Sequence, residues 1–87
     1  MGQMTRDEVL AVLRRDNPNG RPDEISMYAD YYLDYIEASE NIKTHGNIVA
    51  HPRTGSPIDN PYVKIKTNAM TQLRKITRLK NVGAIWT

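Results

Sequence analysis

Eighty-seven residues hold one small domain, and a chain of this size buries so modest a share of its surface that it is marginal as a monomer. It has no cysteine, which excludes a disulfide framework and a cysteine-ligated zinc site, and no apolar run approaches the ~18 residues of a membrane span. The net charge of +2 conceals a segregation: residues 1–40 carry four bases against nine acids, net −5, while residues 41–87 carry eight bases against Asp59 alone, net +7. A basic half of this kind can bind nucleic acid, or it can pair with the acidic half of the same chain or of a neighbour. The start, Met1-Gly2-Gln3-Met4-Thr5-Arg6, lacks the apolar core of a signal peptide, so a cytoplasmic location is the expectation.

The first predicted element is a short helix over 5–16. Thr5-Arg6-Asp7-Glu8 has the spacing of a capping box, with Met4 and Val9 placed as a hydrophobic staple. Val9, Leu10, Val12 and Leu13 form a narrow apolar face, and Arg14-Arg15 complement the negative end of the helix dipole. The turn residues of Asn17-Pro18-Asn19-Gly20-Arg21-Pro22 end it.

A long acidic helix follows from Pro22 or Asp23. Ile25, Tyr28, Ala29, Tyr32 and Ile36 recur at helical spacing, Leu33 and Tyr35 widen the stripe, and Gly46 suits a left-handed cap. The connector holds β-favouring Ile48-Val49-Ala50 and two Pro/Gly turns, which fits a short β-hairpin or a wrapped loop. Asp59 or Asn60 then caps a third helix with Pro61 in its first position. Tyr62, Ile65, Ala69, Leu73, Ile76 and Leu79 make its apolar stripe, and Lys64, Thr67, Asn68, Thr71, Arg74, Lys75 and Arg78 fill the remainder. The tail, 81–87, breaks the helix near Gly83 and ends apolar, with Trp86 expected half-exposed or at an interface.

Few residues invite a chemical reading. Lys64, Arg74, Lys75 and Arg78 lie on the solvated side of the third helix, either to contact phosphates or to pair with Asp30, Asp34 and Glu37 of the acidic helix. Those three carboxylates share a helix face, which suits a solvated surface or a subunit contact better than a metal or acid–base site, because no histidine or nucleophile accompanies them. The tyrosines of the acidic helix can stack on bases, but their spacing favours core and interface packing. His45 and His51 lack two further zinc ligands, and without a Gly-Lys-Ser/Thr sequence Arg53-Thr54-Gly55-Ser56 is a tight turn and not a P-loop.

Taken in order, Tyr28-Ala29, Glu37, His45-Gly46-Asn47-Ile48-Val49, Arg53-Thr54-Gly55, Asn60-Pro61-Tyr62, Lys64-Ile65 and Ala69…Leu73-Arg74 resemble tailed-phage terminase small subunits. The resemblance covers roughly Ile25 to Leu79. It implies the non-catalytic recognition component of a viral DNA-packaging motor, working in the cytoplasm of the bacterial host. Such a component forms ring-like oligomers, engages double-stranded viral DNA and regulates the terminase large subunit, which carries the ATPase and nuclease.

The expected fold is therefore all-α: one domain over 1–87, with an antiparallel hairpin of two long helices over 23–80 joined by a Gly/Pro loop, and the short N-terminal helix beside it. The expected DNA-facing residues are Arg53, Lys64, Lys66, Arg74, Lys75 and Arg78. Tyr28, Tyr32, Tyr35, Ile36, Tyr62, Ile65, Leu73 and Ile76 are the expected contacts of a homo-oligomer, with a ring as the expected form. No catalytic residue, metal, cofactor or membrane contact is expected. The rival reading is an oligomeric protein-interaction adaptor that binds no DNA, its basic helix satisfied by the acidic one.

Overall fold

The computed structural model describes residues 4–86. Thr5 and Glu8 form the expected capping box: the Thr5 hydroxyl accepts from Glu8 N and the Glu8 carboxylate accepts from Thr5 N, both at 3.2 Å. They start α1, Arg6–Asp16. Helix α2, Pro22–His45, has Pro22 in its first turn and ends at Gly46, whose φ of 83° is of the kind a side chain opposes and whose N–H donates to Ile42 O at 2.7 Å. Strands β1, Ile48–Ala50, and β2, Pro57–Asp59, pair antiparallel with Val49 opposite Ile58. Helix α3, Pro61–Lys75, runs back along α2, and a four-residue α4, Gly83–Trp86, closes the tail against the other helices.

Three expectations need correction. The fold is a mostly helical hairpin but not plainly all-α, because the connector takes the β-hairpin form of the two its sequence allowed and adds a small two-stranded sheet. The third helix ends at Lys75, although its apolar spacing runs on to Leu79: Ile76 leaves helical geometry at φ −91°, ψ 92°. Leu79 is buried all the same, carried into the core by the turn that follows and not by the helix. The tail does not break a helix at Gly83 as expected: Gly83 opens α4 instead, and Ile85 is buried.

The core lies at one end of the hairpin. Val9, Leu10 and Leu13 from α1, Ile25, Tyr28, Ala29 and Tyr32 from α2, Leu73 from α3, and Leu79 and Ile85 from the tail form one buried cluster. The molecule extends 50 × 28 × 18 Å, so this cluster leaves a long arm with little apolar filling. Along the arm the buried side chains are small or polar: Ala38, Ala69 and Asn60.

Two asparagines hold what apolar packing does not. At the core end, Asn17 Nδ2 donates to Leu13 O and Lys80 O, each at 3.0 Å, and Asn17 Oδ1 accepts from Lys80 N at 2.7 Å. It thereby ties the tail to the end of α1. At the arm end, Asn60 is 2 % exposed. Its Nδ2 donates to Asn41 Oδ1 and Gly46 O, both at 2.9 Å, and its Oδ1 accepts from Tyr62 N at 3.0 Å. The same residue caps α3, clasps the end of α2 and closes the hairpin between them. Asn60→Ala removes a helix cap and strands buried polar atoms, so it is expected to lower unfolding free energy by about 2 kcal/mol in urea titration. Asn60→Asp keeps the acceptor for Tyr62 N but sets a buried carboxylate oxygen against Asn41 Oδ1 and Gly46 O, so at pH 7 it should destabilise at least as much as Asn60→Ala.

Candidate nucleic-acid interface

Helix α3 contains Lys64, Lys66, Arg74 and Lys75 and no acid. Its buried side is set by Ala69 and Leu73, and the 3.6-residue period separates the cations into two groups. Lys64, Asn68, Thr71 and Lys75, spaced i, i+4, i+7 and i+11, form one exposed row on the side away from Leu73. Lys66 and Arg74 belong to the aromatic side. Lys66 Nζ stands 5.5 Å from the centre of the Tyr35 ring, a cation–π contact, and Arg74 borders the shallow depression lined by Tyr28, Tyr35 and Trp86.

Among the described residues no carboxylate pairs with Lys64, Lys66, Arg74 or Lys75. Of the two readings open for these cations, pairing of Lys64, Arg74 or Lys75 with Asp30, Asp34 or Glu37 is not seen among the described residues. Asp30 is instead bound by Arg6 of α1 at 2.8 Å. Of the six DNA candidates, Arg78 alone meets a carboxylate, Glu24 at 3.8 Å, and Arg78 lies beyond the end of α3. Arg53 is also separate from the helix, at the exposed turn of the β-hairpin. That turn is ordered from within: His51 Nδ1 accepts from Arg53 N at 3.1 Å and Thr54 N at 3.3 Å, and Gly55 N donates to His51 O at 2.8 Å. Lys64, Lys66, Arg74 and Lys75 thus share α3, while Arg78 lies just beyond its end and Arg53 on the separate hairpin turn.

The interface candidates divide differently. Tyr28, Tyr32 and Leu73 are buried in the core of their own chain, so they are not available to a neighbour as expected. The tail is what covers them. Tyr32 donates its hydroxyl to Ile85 O at 2.7 Å, Trp86 Nε1 donates to the Tyr28 hydroxyl at 3.0 Å, and the Trp86 ring meets Tyr32 and Tyr35 edge-on at 4.8 and 5.3 Å. Trp86 keeps 37 % of its surface exposed. Tyr35, Ile36, Tyr62 and Ile76 are half-buried, and Ile65 is the one exposed member of the set.

On α2 a second row faces solvent. Asp23, Met27, Asp30, Asp34 and Glu37 follow one another at helical spacing on the side opposite Ile25 and Tyr32. This row, together with Met27 within it, was only partly anticipated; its signal in the sequence is the i, i+4, i+7 repeat of carboxylates. Desolvation first, then the charges of Asp30 and Glu37, push the Asp34 carboxyl above its ordinary range. Folding therefore raises this group's affinity for its proton, so ionised Asp34 opposes the folded state. The penalty is absent below the ordinary aspartate range and complete once the pH exceeds the raised folded value. Asp34→Asn should raise the melting temperature slightly at pH 7 and leave it unchanged near pH 3. An equal change at both pH values would trace the effect to packing instead of charge.

Among the described residues no three His, Asp or Glu side chains gather to hold a metal ion, and no helix is long and apolar enough to cross a membrane. No curated protein and no solved structure is found to match the chain. A family model described as phage terminase, small subunit, matches residues 4–79, which takes in α1, the whole of the hairpin and the turn that brings Leu79 into the core. An acidic and a basic helix joined by an Asn-Pro-capped reversal are thus features of a chain that belongs to the phage terminase small-subunit family.

Proposed function

We propose that this chain is the non-catalytic small subunit of a phage or prophage terminase, assembling as a homo-oligomer that recognises viral double-stranded DNA in the host cytoplasm. In this role it regulates the ATPase and nuclease of the large subunit during packaging and needs no cofactor of its own. The observation that carries the DNA part is the acid-free α3, whose cations have no carboxylate partner among the described residues. Unpaired cations on a rigid helix release condensed counterions when they meet phosphates, and that release supplies most of a sequence-independent affinity for DNA.

Arg53, Lys64, Lys66, Arg74, Lys75 and Arg78 all enter the proposal. Lys66 and Arg74 lead it, because the Tyr35 ring holds the Lys66 ammonium in place and both sit beside aromatic surface. Arg78 shares its charge with Glu24 and contributes less. The interface part rests on the half-buried Tyr35, Ile36, Tyr62 and Ile76 and on exposed Ile65, whose apolar area is incompletely covered in one chain.

Fluorescence anisotropy of a labelled duplex, titrated from about 50 to about 200 mM salt, tests this reading. Binding is expected to weaken with a log–log slope of roughly −0.9 per phosphate neutralised. Lys66→Ala with Arg74→Ala should make that slope shallower by roughly two contacts and weaken binding at every duplex sequence tested. A chain that binds no DNA even at about 50 mM salt has no recognition role by itself, and the adaptor reading takes its place.

A further inference from the structure

Two shallow depressions run together along the side of α3 that carries Lys66 and Arg74. One, of about 360 Å³, is lined by Tyr28, Tyr35, Met70, Leu73, Arg74 and Trp86. The other, of about 310 Å³, continues from Tyr35, Met70 and Arg74 to Lys66. Because they share three residues, the two form one trough, with Lys66 at one end, Tyr28 and Trp86 at the other, and Arg74 common to both. Eight residues separate Lys66 from Arg74, which sets them ~12 Å apart along the helix. Among the described residues no carboxylate lines either depression.

The aromatic part of this trough offers flat apolar surface and little else. The one polar atom of the Trp86 indole, Nε1, already donates to the Tyr28 hydroxyl at 3.0 Å, so the 37 % of the residue left exposed presents π surface. The ring is also fixed, edge-on to Tyr32 at 4.8 Å and to Tyr35 at 5.3 Å, and a ligand that stacks there has no loose side chain to order. Beside it stand two cations that meet no carboxylate among the described residues. Flat rings next to negative charge are the chemistry of a nucleotide, a base beside its phosphate. A duplex meets only half of it, because paired bases keep their faces stacked on one another and show the grooves their edges. Unpaired bases have faces free to stack on aromatic side chains. An acidic peptide matches the charge as well, but its anchoring side chains need a deep, closed pocket, and this trough is shallow.

We infer that the trough binds DNA whose bases are unpaired, stacking a base on Trp86 and Tyr35 while Arg74 and Lys66 hold the adjoining phosphates. The inference rests on the DNA-binding part of the function proposed above and names the form of DNA that this side of α3 takes: a single strand, free or at the opened end of a duplex. Duplex phosphates still meet the two cations, but without the contribution from stacking. Since a π face accepts any base, the preference is for the state of the strand and not for its sequence. Trp86 lies outside residues 4–79 matched by the family model, so the platform is read from this chain alone.

Trp86 is the chain's single tryptophan, so its fluorescence reports on the trough directly. The full-length protein is titrated at about 50 mM salt with oligo(dT) and, separately, with a blunt duplex of the same length. Oligo(dT) should quench Trp86 to saturation and the duplex should not, and by anisotropy labelled oligo(dT) should bind roughly tenfold more tightly than labelled duplex. Trp86→Leu should weaken oligo(dT) binding roughly tenfold with the same salt slope, because it removes a ring and no charge. Trp86→Phe, which loses the same bond to Tyr28 but keeps a π face, should retain most of the affinity; a loss equal to that of Trp86→Leu assigns the tryptophan a merely structural part and refutes the stacking. Duplex bound at least as tightly as oligo(dT), or bound oligo(dT) that leaves Trp86 unquenched, overturns the inference while the proposed function stands. Failure of both DNAs to bind at this salt overturns both. Should Trp86→Leu lose its helical circular dichroism, quenching and strand preference in the wild type decide the matter. A peptide of alternating Glu and Leu that quenches Trp86 where oligo(dT) does not gives the trough to a protein partner, and the inference is wrong.

Discussion

The path of α3 along α2 depends on the side chain of Asn60. It satisfies Gly46 O at the end of α2, Tyr62 N at the start of α3 and Asn41 in the body of α2, and its own N–H donates to Asn47 O at 2.7 Å. A side chain with one acceptor and two donors is needed for this, because both a helix start and a helix end must be satisfied at the same point. Pro61 preorganises the first helical residue, so the direction of α3 is set within two residues of the reversal. Every level relation between α2 and α3, and hence where each cation stands relative to each carboxylate, descends from that one junction.

The need for such a polar clasp follows from how the apolar residues are distributed. The large buried side chains collect where α1 and the tail press on the hairpin, and the arm has Ala38 and Ala69 where a larger core would have leucine or isoleucine. Small residues let two helices approach closely but remove little area from water, and stabilisation scales with that area at ~25 cal/mol per Å². A two-stranded sheet of three residues per strand adds little by itself. The arm is therefore held by directional bonds at its end and by packing at its base. The tail matters at the base for the same reason: Tyr32 and Tyr28 have hydroxyls that must find partners when buried, and Ile85 O and Trp86 Nε1 provide them.

Legibility in the sequence tracked the range of the interaction. The Thr5–Glu8 capping box and the Asn60-Pro61 start were readable because cap and capped N–H lie within three residues. The end of α3 was not, since Ile76 and Leu79 keep helical spacing while the backbone has already left the helix, and burial of Leu79 is decided by α1 and the tail. Asn17 read as one more turn residue; its partner, Lys80, is 63 positions away. The tyrosine stripe was recognisable as packing surface, but nothing local says whether a neighbouring chain or the chain's own C-terminal turn covers it. For the candidate site, the cations could be identified one by one. Their separation into two sides of α3, and the failure of Asp30 to pair with them, depend on the antiparallel register and on Arg6 arriving from α1.

The segregation of charge belongs to the two helices and is not consumed by ion pairs between them. α2 leaves its acids to solvent or to Arg6 of α1, and among the described residues Lys64, Lys66, Arg74 and Lys75 of α3 meet no carboxylate. An exposed ion pair contributes only roughly 0–1 kcal/mol, so leaving these four cations unpaired costs the fold little. What it leaves is a chain of the phage terminase small-subunit family with one helix of a single sign, held in place by the Asn60 junction and by packing at its base. Any affinity for phosphates built on such a helix comes from released counterions and is therefore responsive to salt.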